Sequence, residues 1–322
     1  MRFDSVDHLL ALDPGRRGIA AFFEPGAARR AAEALAGSRR VLITTGFIVE
    51  PKMAETDGPP GAAVLGRALR RLGMEVSYVT DAESIPVLAA ALRALGEPPD
   101  VRAYGDGPRA AHDVLDRVRP THLVAIERPA RSRSGDYLNM RGHSVAEWNR
   151  PIDEMFVICS DDVASRSKRG WPVRGGRGAI GTDDVASRSK RGWPVRGSRG
   201  SVARPVTVGV GDGGNEVGMG NVRVKLARQG ELMARIAATV TVDHLVVAGV
   251  SNWGAYGIVA HLGRLAGQPL LHTPAQEREL VAACVEAGAL DGVTRRREPT
   301  VDALSLDVHA SVVALLGVSW GP

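Results

Sequence analysis

Residues 209–220 read GVGDGGNEVGMG, a glycine-rich stretch that carries two acids, Asp212 and Glu216, with Asn215 between them. Glycine loops of this kind usually bring bare N–H groups up to a phosphate, and Gly209, Gly211 and Gly213 even form a loose GxGxG. Here the two carboxylates would repel a pyrophosphate, and there is no phosphate-loop lysine, so no nucleotide cofactor is expected. Acids on a flexible loop suit a cation instead: a divalent metal such as Mg, Mn or Ca, or the ammonium of an amino acid. The N–H groups of Gly213 and Gly214 could still hold a carboxylate of the same ligand. A zwitterion or a metal-bridged acid satisfies both halves.

Further acids sit in comparable places. Glu55 and Asp57 lie in ETDGPPGA (55–62), and Glu127 ends THLVAIE (121–127). Glu55, Asp57, Glu127, Asp212 and Glu216 are the candidate metal or ammonium ligands. Glu216 or Asp212 is the candidate proton carrier, with Asn215 grouped beside them as catalytic. For substrate binding the candidates are Thr45 and Gly46 in ITTGF, Gly213 and Gly214, Asn139 and Arg141 in GDYLNMRG, and Ser251 and Asn252 in SNWGAYG. Turn chemistry accounts equally well for the glycines, and Asn139 and Asn252 are as well suited to capping turns. Arg141 suits a substrate carboxylate or, more commonly for a loop arginine, an exposed ion pair. Ser251 lacks a G-x-S-x-G elbow, and His272 in LLHTPAQE has no triad partners nearby in sequence.

The elements that must carry these loops follow from periodicity. Apolar, β-branched runs at 41–47, 75–80, 121–127, 205–210 and 244–250 alternate with helical patterns in GAAVLGRALRRLG, PVLAAALRALG and GAYGIVAHLGRLAG. That order implies a three-layer, Rossmann-like α/β fold, a mostly parallel sheet with helices on both faces. Ligands then bind at the carboxyl ends of the strands, where the acidic loops fall.

The chain has 322 residues, 44% of them hydrophobic and 24% charged, an ordinary globular composition. We expect a single domain over 1–322, interrupted at 160–204 by a basic insertion. Within it DDVASRSKRGWPVRG occurs at 161–175 and again, letter for letter, at 183–197. Residues 161–204 hold eleven Arg and Lys against four Asp. The formal charge of +5 therefore belongs to this segment, and nucleic acid is disfavoured as a partner of the rest. Two polar copies cannot build a solenoid core, so a solvated, mobile loop is expected. Cys159 and Cys284 show neither CxxC nor zinc spacing. No apolar run reaches the length of a bilayer span and the start lacks a signal pattern, so the expectation is a cytoplasmic protein without a membrane partner. Oligomeric state, including a homo-oligomer, is left open.

Taken in order, ITTGF, ETDGPPGA, the stretch from Glu127 to Gly142, GDGGNEVGMG and SNWGAYG resemble the D-glutamate cyclase family, specifically the domain at the carboxyl end of its longer mitochondrial members. The resemblance runs from about Gly15 to about Asp302. It implies a hydro-lyase that interconverts D-glutamate and 5-oxo-D-proline plus water. The duplicated insertion, and Ala130 with extra Arg and Ser in ERPARSRSG, depart from the family pattern. Two other readings fit the same acids: a metal-dependent phosphatase or other hydrolase of a small acidic metabolite, and a non-catalytic amino-acid or metal-binding protein.

Overall fold

Six strands, β1 (Arg40–Thr45), β4 (Glu75–Thr80), β5 (Val101–Ala103), β6 (His122–Ile126), β7 (Val206–Gly211) and β8 (His244–Val247), form one sheet in the order β5-β4-β1-β6-β7-β8. Every neighbouring pair is parallel. This computed structural model describes residues 4–160 and 204–318. The duplicated insertion expected over 160–204, apart from its two end residues, lies outside the described residues. Two small antiparallel hairpins complete the strands: β2 (Ile48–Glu50) with β3 (Met53–Ala54), and β9 (Thr300–Val301) with β10 (Leu304–Ser305).

The helices in chain order are α1 (Ser5–Leu10), α2 (Ala27–Ala36), α3 (Pro59–Arg71), α4 (Ile85–Ala94), α5 (Ala110–Val118), α6 (Glu154–Cys159), α7 (Arg223–Ala227), α8 (Glu231–Ile236), α9 (Ser251–Ala266), α10 (Pro274–Glu286) and α11 (Leu306–Val318). Alternation along the strands divides them between two cores. Val41 and Ile43 of β1, with Val124, Ile126, Val208 and Val210, pack against α2, α3, α4 and α9, backed by α10 and α11. Leu42, Leu123, Ala125 and Val247 face the opposite side, against α5, α6 and α7. The result is the expected three-layer α/β arrangement. A central strand buried on both faces has no polar side to show, which is why these strands read as unbroken apolar runs.

Strand β5 escaped the sequence reading. It has only three residues, Arg102 and Ala103 are exposed, and it follows EPPD, so it carries no apolar run. Topology places the site. From β1 the chain winds outward through β4 and β5, then returns to β6 on the other side of β1 and continues through β7 and β8. The direction reverses between β1 and β6, and in open α/β sheets ligands bind at the carboxyl ends of the strands flanking such a reversal. Among the described residues, no helix is long and apolar enough to cross a membrane.

Candidate functional site

At that edge the segments after β1, β6 and β7 bring together a group of buried carboxylates. Oxygens of Glu127, Asp212 and Glu216 lie within 4.8 Å of one another, and so do those of Asp57, Asp212 and Asp302. Glu55 is buried beside them, with Asp302 and Asp57 acting on its charge. All five acids assigned as ligands from sequence therefore share one edge of the sheet. Asp302, from the β9–β10 hairpin, is a sixth that sequence reasoning did not single out.

Burial and mutual repulsion set the protonation chemistry. Removal from water raises Asp57 to about 7, and Asp302 beside it pushes in the same direction. Burial likewise lifts Glu55, Glu127 and Asp212 well above the usual carboxylate range, with repulsion from the neighbouring acids adding to it. Arg17 supplies the opposing charge. Its Nη1 lies 3.2 Å from Asp212 Oδ2, and its two terminal nitrogens donate to both oxygens of Asp302 at 3.0 and 2.8 Å. Arg17 was also missed from sequence: it lies in DPGRRG, far in the chain from every acidic loop.

Each side chain is held for an identifiable reason. Glu127 follows β6 in a left-handed conformation (φ 43°), which is rare for a residue with a side chain. Its N–H donates to Val210 O at 3.1 Å, and its Oε2 accepts from Ser251 Oγ at 2.5 Å. The next residue, Arg128, fixes this turn with a fully buried guanidinium that pairs with Asp81 and donates to Gly46 O at 2.9 Å. Asp57 supplies the cap that Val250 cannot give to α9, accepting from the N–H groups of Ser251 (2.9 Å) and Asn252 (2.8 Å). Asn252 returns the favour at the start of α3, its Oδ1 accepting from Gly58 and Gly61. Thr45 Oγ1 is buried without a hydrogen-bond partner, as are Asp212 Oδ2 and Glu55 Oε1.

Local contacts bear on several of the sequence assignments. The N–H groups of Gly213 and Gly214 do not face a substrate carboxylate, because Glu216 takes them: Oε1 accepts from Gly213 at 2.7 Å and Oε2 from Gly214 at 2.7 Å, with Asp212 N at 3.3 Å from Oε1. The acid closes its own loop. Glu216 forms a bridge with Pro129, a single 3-10 turn at Met219–Val222 follows, and α7 begins at Arg223. Asn215 donates from Nδ2 to Leu138 O at 2.7 Å, tying the acidic loop to the 136–144 segment. Asn139 caps its own turn, Oδ1 accepting from Arg141 and His143 N–H, and Arg141 is exposed on that turn rather than joined to the acidic group. Gly46 (φ 99°) must lack a side chain, since a Cβ there would stand 2.7 Å from Ser84 Oγ. His272 lies in a buried network, its Nε2 2.6 Å from Glu277 Oε2, which also accepts from the Tyr256 hydroxyl at 2.8 Å.

A cavity of about 570 Å³ lies elsewhere, between β4, β5 and α5, lined by residues such as Tyr78, Arg102, Asp113 and Arg117. Strand-end geometry and perturbed acids, rather than open volume, mark the candidate edge.

A family model described as D-glutamate cyclase-like, C-terminal, matches residues 6–165 and 198–317, leaving the middle of the duplicated segment outside the match. Human mitochondrial D-glutamate cyclase is 30% identical over 274 residues, which cover 80% of this chain and 38% of that protein. The chain thus spans well under half the length of that relative.

Proposed function

Because the chain belongs to the D-glutamate cyclase-like family, we propose that it is a lyase interconverting D-glutamate and 5-oxo-D-proline plus water at the strand-end carboxylates. The observation that carries the proposal is a set of neighbouring buried acids whose affinities for protons are raised and interdependent.

The reaction is a transfer of two protons from nitrogen to oxygen. The substrate ammonium bears three hydrogens and the lactam nitrogen bears one, while the departing γ-oxygen must gain two to leave as water. A base accepts the first proton, freeing the nitrogen lone pair to attack the γ-carboxyl carbon. The tetrahedral adduct then loses a second N–H proton, and its C–O bond breaks once acids have delivered two protons to the leaving oxygen, matching the two taken from nitrogen. Carboxyl groups near pH 7 can serve in both directions, as paired acids do when their environments separate them. Asp212, whose Oδ2 is buried with no hydrogen bond, is assigned as proton carrier, with Asp57 and Glu127 as partners in the exchange. Glu216, whose oxygens accept three backbone N–H groups, is assigned to shaping the loop.

The same oxygens suit a hard cation, since Asp212 Oδ2 and Glu55 Oε1 are buried without hydrogen bonds. A Mg, Mn or Ca ion would be held by Glu127, Asp212 and Glu216 and would polarise the γ-carboxyl. The two carboxylate triads sharing Asp212 also favour, as a second reading, a metal-dependent hydrolase of a small acidic metabolite. Incubation with D- and L-glutamate, with and without Mg²⁺ or Mn²⁺, separates the two. Formation of 5-oxoproline supports the cyclase; a strict metal requirement with phosphate release from phosphorylated acids, and no lactam, supports the hydrolase.

A further inference from the structure

We infer that Arg17 is the anchor for the substrate's α-carboxylate, and that Asp302 occupies its guanidinium fork until that carboxylate replaces it. The inference rests on the cyclase reading and adds a specificity residue to it. A glutamate entering this edge brings two carboxylates among Glu55, Asp57, Glu127, Asp212 and Asp302. Its ammonium is well matched there, but its α-carboxylate needs a cation, and Arg17 is the charge that faces Glu55, Asp57 and Asp212.

The fork is already shaped for a carboxylate. Nη1 and Nη2 donate to Oδ2 and Oδ1 of Asp302 in the paired geometry that guanidinium groups make with carboxylates. The guanidinium also has a support that would survive exchange of its partner: Nη1 donates to Gly249 O at 3.2 Å. The Arg17 backbone is fixed separately by Asp13, which accepts from the N–H groups of Arg17 and Gly18. The Arg17 side chain keeps 13% of its exposure, against 6% for Asp302, so another carboxylate can approach it.

Asp302 is placed so that it can yield. It stands with Ala303 in the two-residue turn between β9 and β10, at φ 55° and 62°. Such a turn favours Asn-Gly or Asp-Gly, and an alanine is strained in the left-handed region. It is held from outside, Ala303 N donating to Asp291 Oδ2 at 2.7 Å. The hairpin presents an internal carboxylate on a turn whose second residue, Ala303, is strained.

The test varies the side chain and the substrate group together. 4-Aminobutanoate has the same amine-to-carboxyl spacing as glutamate and can close to a lactam, but it lacks the α-carboxylate. Turnover of both compounds is measured for wild type, Arg17→Lys and Arg17→Met, with melting curves to verify folding. Removing the charge beside Asp212 should slow both compounds, but the expected loss in kcat/KM for D-glutamate in Arg17→Met exceeds that for 4-aminobutanoate by about tenfold or more, the excess arising mostly through KM. Arg17→Lys, which keeps the charge and the fold, should fall between. Equal losses for both compounds would overturn the inference, because a general structural defect cannot distinguish them. Calorimetric binding of D-glutamate gives a readout without turnover. Wild-type binding that is lost in Arg17→Met supports the anchor even if no lactam forms, in which case the cyclase reading alone fails; equal affinity in both, or none in wild type, overturns the anchor.

Discussion

Replacing Asp57 by Asn should make the protein less sensitive to alkaline pH, by an amount that follows from its environment. Asp57 is raised from 3.8 to about 7 by burial and by Asp302 beside it. The folded state therefore retains a proton that the unfolded chain gives up near pH 3.8, so stability from this group is greatest at low pH and is lost as pH rises to about 7. A shift of about three units corresponds to about 4 kcal/mol, near 1.4 kcal/mol per pH unit across the window. Other groups titrate in the same range with the opposite sign. Burial lowers His122, His244 and His261, so the unfolded chain binds more protons around their ordinary range and stability from them grows as pH rises. These contributions are common to both proteins and cancel in the difference. Asparagine keeps an oxygen to accept an N–H at the start of α9, so the fold should survive. The assay is urea unfolding of wild type and Asp57→Asn at half-unit steps from pH 4.5 to 8 at fixed ionic strength. Wild type should lose ground to the variant steadily as pH rises, by about 3 to 4 kcal/mol in total. A difference independent of pH, or one that grows in favour of wild type, would refute the assignment of Asp57 as an acid that stays protonated near neutrality.

Other outcomes follow from single contacts. Glu216→Gln sets an amide NH₂ against the N–H of Gly213 or Gly214, so the variant should lose about 1–3 kcal/mol and melt lower; an unchanged melting curve would mean the loop does not depend on that carboxylate. Gly249→Ala would place a Cβ 1.8 Å from the Leu12 carbonyl, and denaturant titration should show a loss of about 1–3 kcal/mol. Addition of Mg²⁺ or Mn²⁺ at about a hundred times its dissociation constant should stabilise wild type by about 2.7 kcal/mol, seen as a raised melting temperature, and should do less for Asp212→Asn.

The strands that face helices on both sides were legible because burial on two faces requires apolar residues throughout; β5, half exposed and three residues long, was not. The gathering of Glu55, Asp57, Glu127, Asp212 and Glu216 was legible for a related reason, since acids at the carboxyl ends of parallel strands must share an edge. What each acid binds was not. Glu216 curls back on the N–H groups of its own loop, and Asp57 caps a helix 194 residues away in sequence, arrangements that depend on chain paths no local pattern records. Arg17 and Asp302 are 285 residues apart and lie outside the strand-end loops, so spacing gave no signal for their pairing.

Chiral chromatography of wild-type protein incubated with D-glutamate, beside an Asp212→Asn variant of unchanged melting temperature, tests the central claim most directly. The account predicts that 5-oxo-D-proline accumulates with wild type and falls by about a hundredfold or more with the variant, the scale expected for loss of a proton carrier. Absence of 5-oxo-D-proline with wild type, or equal formation by the two proteins, would contradict it.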